Sequence, residues 1–460
     1  MQKSKFKKTG IGHGVLSFLI VLLLIFSLSS CALLEFFERE ILPKDDIQSD
    51  IGNEEREYNT VAQYLYAWEL PTFNDQKFVA VENCVESYYC GKMPTKKEMA
   101  TTCAELFLEY FYDYIDLNDK TAVTDALLTC YMVSFGDEYA SYKNEESYDD
   151  FSDQMSGTTS FVGIGVRIKI TDDGLPYVAS VLNGSPAEAA GIKRGDVIVS
   201  VDGQMSYDVG YDTAVNAIAG TAGTAVEIVL YRNGELLTVN PIRNSVGEVS
   251  VIYSVIEESN YGYVEITTFN QKTAEDFMAA IDALEALGVD GIIFDLRTNF
   301  GGIMQIVTKM ISYLADDGLP VVSYQCNGEP VSRLNTTPDG HKTELPMVVL
   351  VNEYTASASE IFTAALRDYE KMGDTGINVT IVGKNTFGKG VMQRMYTLGD
   401  GSAITVTVAY YNPPLGENYD GIGIAPDVEV DHSVTADGGD VQFNAGTSAM
   451  DALISSLNTN

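Results

Sequence analysis

The first residues that could take part in catalysis lie where an apolar run ends. Val348–Val351 reads as a buried strand, and Asn352–Glu360 leads from it into a run of good helix formers. Ser357 and Ser359 stand at this predicted helix start. Serines there usually cap free N–H groups, and capping is the ordinary alternative. Because both cannot cap one helix in the same way, one is available as a nucleophile, beside N–H groups that would stabilise an oxyanion.

A lysine between two glycines is the second candidate. Lys389 lies in Thr386–Gln393, flanked by Gly388 and Gly390, where the backbone is free and the side chain has little cover of its own. The segment nearly matches a nucleotide-binding P-loop, but Gly390 stands where a Ser or Thr must bind Mg²⁺. The segment is therefore either a solvated loop or the support of a catalytic lysine.

A glycine pair after another apolar strand is the third candidate. The run Gly291–Phe294 is followed by Asp295–Gly302, which ends in Gly301 and Gly302. Paired glycines at a strand end let backbone N–H groups approach a ligand closely. A tight turn is the alternative.

The composition narrows the chemistry. The 460-residue chain has 65 acidic and 29 basic residues and a formal charge of −36, which argues against a nucleic-acid partner. Its three histidines, His13, His341 and His432, exclude a His-rich metal site and make a lysine the natural base for a serine. Lysine titrates near about 10.4 in water, so Lys389 must lose solvent to act as a base at neutral pH.

Together these motifs resemble the carboxyl-terminal processing (tail-specific) peptidases, which are serine peptidases of the S41 type. The resemblance covers roughly residues 135–430. Its landmarks, in chain order, are Asp137–Tyr142, Gly163–Gly165, Asp295–Gly302, Ser357–Glu360, Thr386–Gly390, Gln393 and Gly423–Asp427. The resemblance implies a Ser/Lys dyad that acts through an acyl-enzyme, without a metal or cofactor. Ser357 would be the nucleophile and Lys389 the general base, which Gln393 would hold in place.

The resemblance also implies an oxyanion hole, and this part of the chain departs from the family. The hole would be made by the N–H of Ala358 and by that of Gly301 or Gly302, of which we favour Gly301. Phe300 stands where the family usually has proline, which loosens the expected geometry of the loop. A second departure, Met372–Asn378, reads as an inserted loop between a helix and a strand.

Residues 157–245 change to short β-rich runs separated by glycine turns, with a short helix that Ser185 caps and Pro186 begins. The loop Gly163–Val166 and the segment Gly195–Gly203 resemble those of a PDZ domain, with a generic small β-module as the alternative. A PDZ domain adds a peptide C-terminus as a strand to an open sheet edge. The expected peptide-binding residues are Gly163, Ile164, Gly165 and Val166.

Strands and helices alternate over residues 250–432, which predicts a layered α/β core with ligands at the carboxyl ends of its strands. The resemblance makes this core crotonase/ClpP-like, with the PDZ domain as an insertion-like module. Residues 57–150 predict an N-terminal helical domain, whose aromatic stripe over 104–114 is core or a dimer surface. In the C-terminal tail, residues 433–460, we predict one weak amphipathic turn, Ala449–Leu457, and no function.

The N-terminus has the pattern of an export signal. Four lysines precede the apolar run Val15–Leu28, and Leu28–Cys31 resembles a lipobox. Residues 1–30 therefore read as a lipoprotein signal peptide, Cys31 as the acylated residue and 31–56 as an acidic tether. An uncleaved anchor helix is the alternative. Both place the rest outside the cytoplasm, on the outer face of the bacterial cytoplasmic membrane.

The sequence thus predicts an exported, membrane-anchored endopeptidase that binds and cleaves polypeptides with a free C-terminus. It leaves open a homodimer and the pairing of Cys84, Cys90, Cys103 and Cys130, which are either in disulfides or buried as thiols. The alternative function is a catalytically silent, lipid-anchored PDZ scaffold on a degenerate peptidase core.

Overall fold

The structure is a computed structural model that describes residues 56–459 apart from a few internal positions. The internal positions left out are 248, 257, 327–328, 339–340 and 417. The described chain forms two compact units, residues 56–150 with 393–408 and residues 151–392 with 409–459. The predicted signal peptide, Cys31 and all but the last residue of the predicted tether lie outside the described residues. Among those residues, no helix has both the length and the apolar character needed to cross a membrane.

The first unit is mainly helical, as predicted. Its helices are α1 (Val61–Ala67), α2 (Asp75–Tyr88), α3 (Lys96–Tyr110), α4 (Lys120–Ser134) and the start of α5 (Glu145–Ser156). A side-chain oxygen caps each of the first four, at Thr60, Asn74, Thr95 and Asp119. Strand β1 (Ser141–Lys143) pairs antiparallel with residues 403–405.

The predicted aromatic stripe is only partly core. Leu106 and Phe107 are buried in the helical core, but α3 ends at Tyr110, so Tyr114 lies beyond the helix and is exposed. Cys103 and Cys130 are also buried in this core, and the Cys103 thiol donates to the Leu127 carbonyl at 3.3 Å. The thiol alternative therefore describes these two cysteines. A homodimer through this unit stays a prediction.

The β-rich part of the second unit follows the predicted PDZ-like order. Its strands are β2 (Ser160–Gly163), β3 (Val166–Ile170), β4 (Pro176–Val181), β5 (Val197–Val201), β6 (Gln204–Met205), β7 (Ile228–Arg232), β8 (Glu235–Val239) and β9 (Asn244–Gly247). Its helices are α6 (Pro186–Ala189), α7 (Ser206–Val209) and α8 (Tyr211–Ile218). The sheet order β3-β4-β5-β7-β8 leaves β3 at an edge. The predicted cap of α6 is confirmed, since Ser185 Oγ accepts the Glu188 N–H at 3.2 Å.

The core of the second unit is a layered α/β structure. Its strands are β10 (Val251–Ile256), β11 (Tyr261–Ile266), β12 (Ile292–Asp295), β13 (Pro320–Cys326), β14 (Ser332–Asn335), β15 (Met347–Val351), β16 (Val379–Gly383), the ends of β17 (Val391–Thr397) and β18 (Ala403–Asn412), whose residues 393–408 belong to the first unit, and β19 (Val428–Glu429). Its helices are α9 (Thr273–Ala286), α10 (Met304–Leu314), α11 (Ala358–Met372) and α12 (Val441–Leu457).

The core sheet brings two predicted motifs to one edge. Its six strands have the order β10-β11-β12-β15-β16-β19, and all neighbours are parallel except β10 and β11. Asp295 at the end of β12 is in register with Leu350 near the end of β15. The glycine loop and the serine motif follow these strands, so they leave the sheet side by side. The predicted loop Met372–Asn378 is confirmed, because α11 ends at Met372 and β16 starts at Val379.

The C-terminal segment differs from the sequence prediction. Instead of one weak turn over Ala449–Leu457, the chain forms the long helix α12. Its Met450 is fully buried against Val348 and Leu350 of β15. The frequent Ser, Thr and Asn residues of this segment dilute its apolar stripe, and this explains why periodicity alone understated the helix.

Replacing Met450 by Ala should lower the free energy of unfolding by about 2–5 kcal/mol, because the change leaves a cavity between α12 and the sheet. Denaturant titration of the full chain measures this loss. The control is Leu457→Ala at the exposed end of α12, which should change stability by about 0.5 kcal/mol or less. Equal losses in the two variants would show that α12 does not pack on the sheet.

Candidate active site

Ser357 has a strained backbone between β15 and α11. Its φ of 58° and ψ of −116° lie in a region that residues other than glycine rarely adopt, at a cost of about 1–3 kcal/mol. Its hydroxyl makes no capping hydrogen bond. Ser359 does not cap either, because it is buried and its Oγ donates to the Asn299 carbonyl at 2.9 Å. The capping interpretation is therefore wrong for Ser359, whereas Ser357 occupies the N-cap position opposite Glu360 without completing a capping hydrogen bond.

The Glu360 carboxylate joins the serine segment to the lysine segment. It accepts the backbone N–H of Ser357 at 2.9 Å and, from the other segment, the Thr386 hydroxyl at 2.6 Å. It also accepts the N–H groups of Gly388 at 2.7 Å and Lys389 at 2.8 Å. Burial raises the pKa of Glu360, whereas these four donors act in the opposite direction by stabilising the charged form. One buried side chain thus fixes the backbones of both candidate catalytic residues.

Glu360 belongs to the Ser357–Glu360 motif, but the sequence alone predicted no role for it. The available signal was its position, three residues after Ser357, where a capping box places Glu or Gln. The capping box is present here, with Ser357 at the N-cap, and the Glu360 carboxylate accepts the Ser357 N–H at 2.9 Å. The remaining acceptor capacity of the carboxylate goes to the lysine segment.

Tyr411 is a second residue that the sequence did not reveal. It is buried at the end of β18, its hydroxyl donates to the Lys389 carbonyl, and its N–H donates to the Gly390 carbonyl at 3.1 Å. Burial raises the pKa of Tyr411, while the nearby Ser357 side chain lowers it through a hydrogen bond. Tyr411 therefore lies beside both candidate catalytic residues and binds the carbonyl of the half-buried Lys389, whose N–H Glu360 accepts.

The glycine loop after β12 borders Ser357 at Gly301. A Cβ on Gly301 would lie 2.8 Å from Ser357 Cβ and 2.9 Å from the Ala358 nitrogen, and its φ is 105°. No larger residue fits at this point. The Gly301 N–H donates to Asn299 Oδ1 at 2.9 Å, and Gly302 forms a bridge to Phe269 instead. The contribution of Ala358, Gly301 and Gly302 to an oxyanion hole stays a prediction.

A buried ionic cluster anchors the strand end that carries this loop. The Arg297 guanidinium contacts Asp295 at 2.6 Å and Asp440 at 2.8 Å, and Arg194 reaches Asp440 at 3.0 Å. Burial alone would raise the pKa of Asp295, but Arg297 more than offsets it and holds that pKa well below its usual range. Asp440 caps α12, so the predicted C-terminal tail takes part in supporting the site.

Gln393 has an identified partner in the first unit. Its side-chain amide donates to the Tyr139 carbonyl, within the Asp137–Tyr142 landmark. This contact gives the landmark a structural role that the sequence did not specify. The predicted support of Lys389 by Gln393 stays a prediction.

The four predicted peptide-binding residues border the edge strand β3. Gly163 ends β2, Ile164 is buried, and Val166 begins β3 after Gly165. Opposite this strand, the Tyr211 hydroxyl at the start of α8 donates to the Ile168 carbonyl at 3.1 Å. The loop is thus placed where an added strand would end, and its binding of a peptide stays a prediction.

Comparison with protein families assigns both parts of the second unit. Residues 260–430 match the sequence model of peptidase family S41, and residues 152–230 match that of the PDZ domain. The core belongs to peptidase family S41. The S41 match contains Ser357, Lys389 and the glycine pair, so the geometry described above is that of an S41 core with an attached PDZ domain.

Several curated proteins are similar to this chain in sequence. The chain is 35% identical over 321 residues to the carboxy-terminal processing protease CtpA of Bacillus subtilis (strain 168), covering 69% of this chain and 66% of that protein. It is 32% identical over 321 residues to a probable CtpA-like serine protease of Staphylococcus aureus (strain COL), covering 69% of this chain and 62% of that protein. The chain therefore matches slightly less than two thirds of the length of these relatives.

A solved structure supports the fold. A structure described as an S41 protease of Bacteroides fragilis aligns with a TM-score of 0.55 at 17% identity, covering 81% of this chain and 97% of that one. At this identity the likeness concerns the fold alone. It agrees with the layered core and the attached β-rich domain described above.

Glu360→Gln should disrupt the site although the two side chains have nearly the same shape. The amide keeps one acceptor oxygen and turns an NH₂ group toward two N–H or O–H donors, each costing about 1–3 kcal/mol when unsatisfied. We expect labelling of Ser357 by a fluorophosphonate probe to slow at least tenfold. Glu370→Gln, at an exposed position of the same helix, is the control and should label at the wild-type rate. Wild-type labelling of Glu360→Gln would mean that the carboxylate does not position the two segments.

Proposed function

We propose that this chain is an exported serine endopeptidase that binds the C-terminal tail of a protein substrate through its PDZ domain. Ser357 and Lys389 act as a catalytic dyad, and cleavage passes through an acyl-enzyme. The substrate is a polypeptide with a free C-terminus, and the reaction uses no cofactor. The S41 and PDZ matches and the CtpA relatives support this class of activity.

The observation that carries the proposal is the conformation of Ser357 together with its link to the lysine segment. A serine with a strained backbone and no capping hydrogen bond lowers the stability of the fold, and such strain is concentrated at functional sites. The same Glu360 carboxylate that accepts the Ser357 N–H also accepts the Lys389 N–H. A structural turn needs neither the strain nor the link, whereas a nucleophile and its base need both.

The proposed reaction has two steps. Ser357 Oγ attacks the peptide carbonyl carbon while the neutral Lys389 amine takes the hydroxyl proton, and the N–H groups of Ala358 and of one glycine, Gly301 or Gly302, stabilise the oxyanion. The C–N bond then breaks, and Lys389 returns the proton to the leaving amine. A water molecule then attacks the ester carbon and gives a proton to Lys389. The C–O bond to Ser357 breaks, the acid leaves, and Lys389 returns the proton to Ser357 Oγ.

For this role Lys389 must be uncharged at neutral pH. Its half-buried position lets a bound substrate remove the remaining solvent, which would favour the neutral amine. Gln393 would then assist as a neutral partner, because a carboxylate in that position would raise the lysine pKa.

We further propose that the chain is exported and held at the outer face of the cytoplasmic membrane through a lipid on Cys31. The support is the sequence pattern of four lysines, an apolar run and Leu28–Cys31. A membrane-bound peptidase would meet the tails of other exported proteins.

Ser357→Ala should abolish cleavage of an unfolded protein with an apolar C-terminus while leaving tail binding unchanged. Fluorophosphonate should label the wild type and the exposed-site control Ser455→Ala, but not Ser357→Ala. Gel analysis of the substrate and mass spectrometry of the labelled protein give the two readouts. Persistent cleavage by Ser357→Ala would refute the nucleophile, and a wild type that neither cleaves nor labels would favour the silent scaffold.

Amidation of the substrate C-terminus should slow cleavage at least tenfold, because a neutral amide cannot replace a carboxylate at the N–H groups of the Gly163–Val166 loop. Paired peptides that differ only in the terminal group give kcat/KM for each form. Equal values for the two peptides would remove the PDZ loop from substrate recognition and leave the dyad unaffected.

A further inference from the structure

Three large aromatic side chains are exposed on the loops that carry the candidate catalytic residues. Phe300 is 62% exposed, Tyr354 45% and Phe387 50%. Phe300 precedes Gly301, Tyr354 lies three residues before Ser357, and Phe387 lies two residues before Lys389. Single exposed apolar residues are common on protein surfaces, but a group of aromatics around one site is typical of a binding surface.

Backbone hydrogen bonds bring these three loops together. The Asn299 carbonyl accepts the Ala356 N–H at 3.0 Å, which places Phe300 beside the serine loop. The Phe387 N–H donates to the Thr355 carbonyl at 3.0 Å, which places the lysine loop beside the same segment. The Phe300 and Tyr354 rings meet edge to face, with centroids 6.4 Å apart and planes at 67°. The aromatic surface is therefore continuous from Phe300 to Tyr354, and Phe387 lies next to it.

The backbone beneath this surface is rigid although the rings are exposed. Asn299 and Thr355 are fully buried, and the residue after Phe387, Gly388, is held by Glu360. A side chain that is exposed on a fixed backbone loses little further conformational freedom when it contacts a partner. Aromatic anchors of this kind dominate many binding surfaces.

We propose that Phe300 and Tyr354, with Phe387 beside them, form a subsite that binds a large apolar side chain next to the scissile bond. This inference rests on the proposed function, since the occupant is the polypeptide that Ser357 cleaves. The position argues for that occupant, because Gly301, the residue after Phe300, lies so close to Ser357 that a Cβ would not fit between them. Phe300 replaces the proline that the family usually has, so the preference is a property of this chain rather than of the S41 core in general.

Peptides that share an apolar free C-terminus and differ only in one residue beside the cleaved bond test the subsite. Ala, Leu or Phe is placed in turn on either side of the bond, and mass spectrometry confirms the cleavage position. For the wild type we expect kcat/KM for the Leu and Phe peptides to exceed that for the Ala peptide by about tenfold at one of the two positions, mainly through KM.

The variants Phe300→Ala and Tyr354→Ala should each reduce this selectivity at least threefold, and Phe300→Pro should do the same. Two different positions are used so that one poorly folded variant does not decide the result, and thermal unfolding of each is measured in parallel. Leu287→Ala removes an equally exposed apolar side chain after α9 and should keep the wild-type selectivity.

The outcomes separate the subsite from the proposed function. Cleavage by the wild type with no preference, or a preference that survives in both folded variants, overturns the subsite and leaves the peptidase intact. A wild type that cleaves none of the peptides and is not labelled at Ser357 overturns both proposals.

Discussion

The active site depends on one buried carboxylate. Glu360 is fully buried, so its charged form is stabilised by four hydrogen-bond donors. One donor belongs to the serine segment and three belong to the lysine segment. A buried acceptor that loses a donor, or a donor that loses its acceptor, costs about 1–3 kcal/mol. Neither segment can therefore move independently of the other. The position of Ser357 relative to Lys389 is a consequence of satisfying Glu360.

The same constraint explains how the strain at Ser357 persists. A positive φ at a serine would relax if the backbone were free, but the Ser357 N–H is held by Glu360 and Gly301 packs against its Cβ. Tyr411 donates a hydrogen bond to the Lys389 carbonyl, and because Tyr411 is itself buried in the core, it holds the lysine segment in place. Rigid surroundings thus keep an unfavourable conformation in place.

The S41 core and the PDZ domain meet in the ionic cluster around Asp440. Arg194 follows the short helix of the PDZ domain, Arg297 lies next to the glycine loop, and both contact Asp440. Buried ion pairs contribute little net stability compared with apolar packing, but they specify geometry because an unpaired charge there is costly. Asp440 therefore links the C-terminal helix and the PDZ domain to the strand end that carries the glycine loop.

Local sequence determined much of this protein, since alternating apolar runs specify strands and caps specify helix starts. The serine, the lysine and the glycine pair could all be identified in this way. What the tertiary structure alone decided is which distant groups meet. Glu360 binds donors 26 to 29 residues away, and Arg297 binds Asp440 over 143 residues. The tertiary structure also decided the packing of the C-terminal helix, the position of Tyr411 beside Lys389, and the meeting of the exposed aromatic residues. A hydrogen bond or ion pair between remote segments exists only where the sheet brings their ends together, and no local pattern encodes that meeting.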